Sequence, residues 1–174
     1  MARRGVPALL CRRTPALRLV SRIELTTLIA APRERCFDLS VSVDVHLEST
    51  VHTGERVVAG PTSGVLALGG EITWEARHLG RCRRLSMTVS AYERPRMFRD
   101  ELVRGPLRKL VHDHFFEAVG EGTEMLDVFE FESSVWLVDP LVLARHFRRL
   151  LLRRNEAIKR LAESDDWRRV LPTD

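Results

Sequence analysis

Three residues in the stretch KLVHDHFFEAVGEGTEMLDVFEF, residues 109 to 131, have the types and spacing to do chemistry together. His112 and His114 are two positions apart, which puts two imidazoles on the same face of a strand. Asp127 follows beyond a Gly-Glu-Gly turn. Centring a two-residue hairpin turn on Gly120-Glu121 pairs Phe116 with Met125, His114 with Asp127 and His112 with Phe129. The favoured reading of this arrangement is a structural His114–Asp127 hydrogen bond that fixes the hairpin register. The second reading is the polar end of a ligand pocket. The third is a metal site, with Asp127 or His78 as a further ligand. Two histidines without a carboxylate motif are a weak metal signal, so no metal and no cofactor is expected.

The elements that must carry these groups are legible in order. RIELTTLI alternates and is rich in β-branched residues, as a strand is. Pro32 is placed to open a short helix with Phe37 facing inward, and VDVHLES predicts a second short helix. GERVVAG is a brief strand, and the glycines through residue 70 mark a loop. Four longer strands follow: EITWEARH, CRRLSMTVSAY, MFRDELVR and LRKLVHDHFFE, with TEMLDVFEFES closing the set. Their short connections predict an antiparallel meander. The chain then predicts one long helix, with Asp139 as a cap and Pro140 in its first turn. Leu143, Phe147, Leu150, Leu151, Ile158 and Leu161 make its apolar stripe, and Arg148, Arg149, Arg153, Lys159 and Arg160 lie off it.

A helix with one apolar stripe and a curved sheet with one apolar face bury those surfaces on each other. A strongly bent sheet around a helix does not close, and a pocket between the layers is expected. Alternation turns Trp74, Ala76 and His78 inward on one strand, and Leu85, Met87 and Val89 on the next. On MFRDELVR the inward set is Phe98, Asp100 and Leu102. The candidate ligand wall is therefore Trp74, His78, Phe98, Asp100, His112, His114, Phe116, Met125, Asp127 and Phe129, with Phe147 from the helix. Leaving any of its polar groups unpaired costs about 1–3 kcal/mol each, so they meet one another, water or a bound molecule.

Composition narrows the function classes. The 174 residues carry a formal net charge of +4, but Arg3, Arg4, Arg12, Arg13 and Arg18 lie in the first twenty residues with no acid among them. With these five set aside, residues 21 to 174 carry −1, so a nucleic-acid partner is not expected. No apolar run reaches the ~18 residues of a spanning helix, so no integral membrane span is expected. Residues 1–20 are expected to be a disordered Arg-rich extension, 21–164 the domain, and 165–174 a short tail. Cys11, Cys36 and Cys82 are few, scattered and odd in number, which suits free thiols in a reducing compartment, the cytoplasm. No P-loop, dinucleotide glycine pattern or nucleophile elbow is present.

The order of elements resembles the START-like, helix-grip superfamily, and IAAPRERCFDLS resembles its opening strand-to-helix passage. More narrowly, GEITWEARHLG, YERPRMFRDELVRGPLRKLVHDHFFE and GTEMLDVFEF resemble a bacterial SRPBCC subgroup described as polyketide cyclase/dehydrase-like or ligand-binding. The resemblance spans about residues 22 to 163 and carries onto Trp74, Arg77, His78, Pro95, Phe98, Asp100, Glu101, Gly105, His112, His114, Phe116 and Asp127. Two features depart from it: SSVWLVDP has no glycine before the helix, and the Arg-rich extension lies outside the pattern. The resemblance implies an α+β helix-grip domain, with about seven strands wrapped around the C-terminal helix, that binds a small hydrophobic molecule. The alternative is a cyclase- or dehydratase-type enzyme using His114 and Asp127 as the catalytic pair. A second alternative is a protein-interaction module.

Overall fold

The computed structural model describes residues 20–133 and 140–171. Strand β1 (Ser21–Ile29) leads into two short helices, α1 (Arg33–Ser40) and α2 (Val43–Thr50). Six strands follow: β2 (Arg56–Ala59), β3 (Glu71–His78), β4 (Arg81–Glu93), β5 (Met97–Arg104), β6 (Leu107–Val119) and β7 (Gly122–Ser133). The long helix α3 (Pro140–Glu163) comes last. The strands form one antiparallel sheet in the order β1-β7-β6-β5-β4-β3-β2, so the meander closes its long edge with the first strand. This is the α+β helix-grip architecture expected from the pattern. The expected Asp139 cap, residues 134–139 of the connection to α3 and all but the last residue of the Arg-rich extension lie outside the described residues.

The strand period decides what each face carries. On β6, Leu110, His112, His114 and Phe116 are buried, while Glu117 is exposed on the other face. The final hairpin has the expected register, with Phe116 opposite Met125, His114 opposite Asp127 and His112 opposite Phe129. Val119 pairs with Gly122, and Gly120 takes the left-handed conformation that the tight turn needs (φ 60°). The β3–β4 turn places Leu79 and Gly80 both at positive φ, so one non-glycine residue is held in a disfavoured conformation at an exposed tip.

Helix α3 buries Leu151, Arg154, Asn155, Ile158, Leu161 and Ala162, a run spaced three and four apart along one face. Burying an aliphatic side chain such as Ile158 or Leu161 stabilises the fold by about 1.5–3 kcal/mol relative to exposure. At one end of the layer interface Phe37, Phe98, Phe116, Met125, Ile158 and Leu161 form a dense apolar cluster. At the other, Ile72, Trp74, Met87, Leu110, Phe129 and Phe131 meet Leu151 and the half-buried Phe147. Residues beyond 164, expected as a tail, fold back onto the first cluster. Asp165–Arg169 form a 3-10 turn capped by Ser164, and Leu171 is buried with Trp167 and Val170 packed beside it. The guanidinium of Arg35 lies 4.6 Å over the Trp167 ring.

Candidate functional site

Asp127 sits at the centre of the buried polar groups. It is fully buried on β7, and six side chains from β1, β5, β6 and α3 surround it or the groups it holds. His112 Nε2 lies 2.9 Å from its Oδ1 as a directed hydrogen bond. His114 Nδ1 lies 2.8 Å from the same oxygen, but off the axis of a ring N–H bond, so this contact is electrostatic rather than a well-formed hydrogen bond. From α3, Asn155 Nδ2 donates to Oδ2 at 2.6 Å and to Thr27 Oγ1 at 3.2 Å. The Arg154 guanidinium stands 3.5 Å from Oδ1 and donates to the Ser40 carbonyl at 2.7 Å. Asp100, paired across the strands with His112, brings its Oδ2 to 3.4 Å from His114 Nε2.

The electrostatics follow from this crowding. Burial opposes charge on Asp127, but the contacts with His112 and His114 prevail and hold its carboxyl well below the usual range. Burial, then the neighbouring His114, drive the His112 imidazole down to about 4, against the pull of Asp127. His112 is therefore neutral at pH 7, able to accept a proton and not to supply one. Asp100 is also lowered, its contact with His114 outweighing burial.

Beside this cluster is a cavity between the sheet and α3. Its inner chamber, about 160 Å³, is walled by Trp74, Met87, Phe98, Phe129 and Phe147, and its polar end is Asp100, His112 and Arg154. A second chamber of about 470 Å³ shares Glu55, Trp74, His78, Leu85 and Phe147 with it and runs out past Leu79, Arg81 and Arg83. Leu79, Arg81 and Arg83 are all exposed, so this chamber is the way out to solvent. A second group of polar residues lies where the chambers meet. His78 Nδ1 is 3.1 Å from His146 Nε2, His46 stacks on Trp74 with ring centres 4.1 Å apart, and His46 Nε2 is 3.4 Å from Glu55. Burial lowers His78 and His146.

The sequence-derived candidates thus divide. Trp74, His78, Phe98, Asp100, His112, Phe129 and Phe147 line the chambers. His114, Phe116, Met125 and Asp127 lie behind the wall, with His114 only 1% exposed. Arg154, Asn155, His46, Glu55 and His146 escaped the sequence reading. For Arg154 and Asn155 a signal existed, since positions three and four beyond Leu151 and before Ile158 belong to the same helical stripe. His146 shares that stripe, three beyond Leu143 and four before Leu150, whereas no periodicity singles out His46 or Glu55.

Solved structures with the same architecture are numerous. The Zhui aromatase/cyclase from a Streptomyces species superposes with a TM-score of 0.67 at 13% identity, over 88% of this chain and 98% of that one. A START superfamily protein from Mycobacterium smegmatis gives 0.64 at 12% identity, over 82% and 97%. The ginseng major latex-like protein 151 from Panax ginseng gives 0.63 at 15%, over 84% and 99%. No family model and no curated protein matches the sequence. At these identities the likeness defines the fold, and the fold is the SRPBCC/START-like helix-grip. No helix among the described residues is long and apolar enough to cross a membrane.

Proposed function

We propose that this protein binds a small, mostly apolar molecule in the two chambers between the sheet and α3, with the ligand's polar group directed at Asp100 and His112. The observation that carries this reading is the cavity's make-up: aromatic and aliphatic walls, with the inner chamber's ionisable groups confined to two places, Asp100, His112 and Arg154 at the inner end and His46, Glu55 and His78 where the chambers meet. A chamber of about 160 Å³ holds something near benzene in size. The two chambers together reach the range of ordinary small-molecule sites, about 300–1,000 Å³. Binding, transport or sequestration of such a ligand in the cytoplasm accords with the free thiols of Cys36 and Cys82.

Native mass spectrometry of the purified protein, with solvent extraction of anything carried along, tests the reading. A co-purified apolar molecule, or saturable displacement of an apolar dye, is the expected result. Phe147→Asp, which places a carboxylate on the wall shared by both chambers, is expected to abolish dye binding. No bound molecule together with no dye binding by the wild type overturns it.

A second reading is enzymatic, of cyclase or dehydratase type. What favours it is His112, which faces the chamber while Asp127 holds its ring from behind. The general base in that reading is His112, since His114 does not line the cavity. Turnover of a carbonyl-bearing ligand by the wild type and its loss in His112→Gln is the supporting result.

A further inference from the structure

His114 poses a problem that neither ligand binding nor the hairpin register resolves. It is 1% exposed, and neither ring nitrogen has a directed hydrogen bond. Leaving a buried donor or acceptor unmet costs about 1–3 kcal/mol. One side of the ring faces Asp127. The other, Nε2, faces Asp100 Oδ2 at 3.4 Å, too long for a good hydrogen bond. That separation is what two donors of one tetrahedral ion require: bonds of about 2.0–2.1 Å put neighbouring ligand atoms roughly 3.3–3.4 Å apart.

We propose that Asp100, His112 and His114 bind a divalent transition-metal ion of the zinc type at the polar end of the cavity. One donor atom from each of the three lies within 4.8 Å of the other two. Closing that set to neighbour distances of roughly 3.4 Å falls to the side chains. The two nitrogens and one carboxylate oxygen suit zinc and its neighbours in the first transition row. Asp127 is the outer support: its hydrogen bond to His112 Nε2 leaves Nδ1 of that ring for the ion, and its contact with His114 Nδ1 leaves Nε2. Charge agrees as well. Asp100 and Asp127 bring two carboxylates to the cluster against the one guanidinium of Arg154. Three protein ligands leave a coordination position open, and Asp100 and His112 both line the chamber. The open position therefore faces the cavity, where a carboxylate, hydroxyl or thiolate of a bound molecule completes the sphere.

The test is chelator-stripped protein titrated at neutral pH with cobalt(II), followed by visible absorption, and with zinc(II), followed by calorimetry. One equivalent per chain is expected, with zinc displacing cobalt. Asp100→Asn, which keeps shape and volume, is expected to lose most of that binding, and His114→Gln to abolish it. Circular dichroism checks that each variant is folded, and Asp100→Asn decides alone if His114→Gln is not. Asp127→Asn is expected to weaken binding by about 10–100-fold. His78→Gln separates the site from the other histidine pair and is expected to retain one equivalent. No uptake by the wild type overturns the proposal. So does uptake that survives Asp100→Asn and disappears with His78→Gln. The titration contains no apolar ligand, so its outcome is independent of the ligand-binding reading.

Discussion

The protein has two pairs of histidines at the layer interface, and they live in opposite circumstances. His112 and His114 are on one strand, their rings 3.7 Å apart, inside a network fed by two carboxylates, a guanidinium and an amide. His78 and His146 join the edge of the sheet to the start of α3 and share one hydrogen bond near the cavity mouth. Both pairs have depressed histidines, and in both burial is the leading cause. The difference lies in what would be stranded if the pair were disturbed. Around the inner pair every removal orphans a charge, whereas around the outer pair water is close enough to take over.

The sharpest way to expose this contrast is Asp127→Ala. It leaves the buried Arg154 guanidinium without its carboxylate and strips Asn155 and both imidazoles of their shared acceptor. Breaking a buried ionic network by removing one partner costs about 3–5 kcal/mol. Urea denaturation at pH 7 is expected to show a loss of that order. A loss under about 1 kcal/mol would mean that water already shares the site.

Acid separates the pairs next. His112 titrates at about 4 in the folded chain against about 6.5 when unfolded, so the unfolded state takes up the proton first. Its contribution is intact above pH 6.5, falls as the pH drops from there to about 4, and is spent below that. The shift corresponds to a loss of about 3 kcal/mol. Asp127, depressed by the same neighbours, has the same sign and adds its loss at lower pH, below its unfolded value. Melting temperature measured from pH 7 down to pH 4 is expected to fall steadily, and a flat profile would remove His112 from the account.

A smaller effect is expected for His114→Ala, about 1–3 kcal/mol from the contacts it leaves open to Asp127 and Asp100. Because His114 lies behind the cavity wall, apolar dye binding is expected to be unchanged. Weakened dye binding with unchanged stability would place His114 on the wall after all.

Much of this was readable from residue order alone, for a physical reason. A period of two assigns each strand residue to a face without knowledge of the neighbours, and a Gly-containing two-residue turn then sets the register. His112, His114 and Asp127 were placed by those two rules, and Asp100 by the first. Helix α3 hid more. Of Arg153, Arg154 and Asn155 only Arg153 was assigned, off the stripe, and the other two are buried because they fall three and four beyond Leu151 on it. The buried carboxylate that draws Arg154 and Asn155 inward sits on a different element, β7. The mouth was not legible either. His46, Glu55 and His146 come from α2, the approach to β2, and α3, and only the closed fold brings them to Trp74 and His78.

The smallest expected effect tests whether the outer pair is as replaceable as its surroundings suggest. His146→Ala removes one neutral hydrogen bond between partly exposed rings, worth about 0.5–1.5 kcal/mol at most and less where water can substitute. His146 and His78 are both lowered, so their protonation also opposes the fold as the pH drops below 6.5. Their sign matches that of His112, and the pH profile of the wild type cannot apportion the loss between the two pairs by itself. The variant can. If the inner pair carries the acid transition, His146→Ala lowers stability at pH 7 by no more than about 1 kcal/mol and leaves most of the slope between pH 6.5 and 4 in place. Flattening of that slope in His146→Ala would transfer the transition to the mouth. The contrast between the two pairs would then be reversed, with the outer contact as the acid-labile joint between sheet and helix.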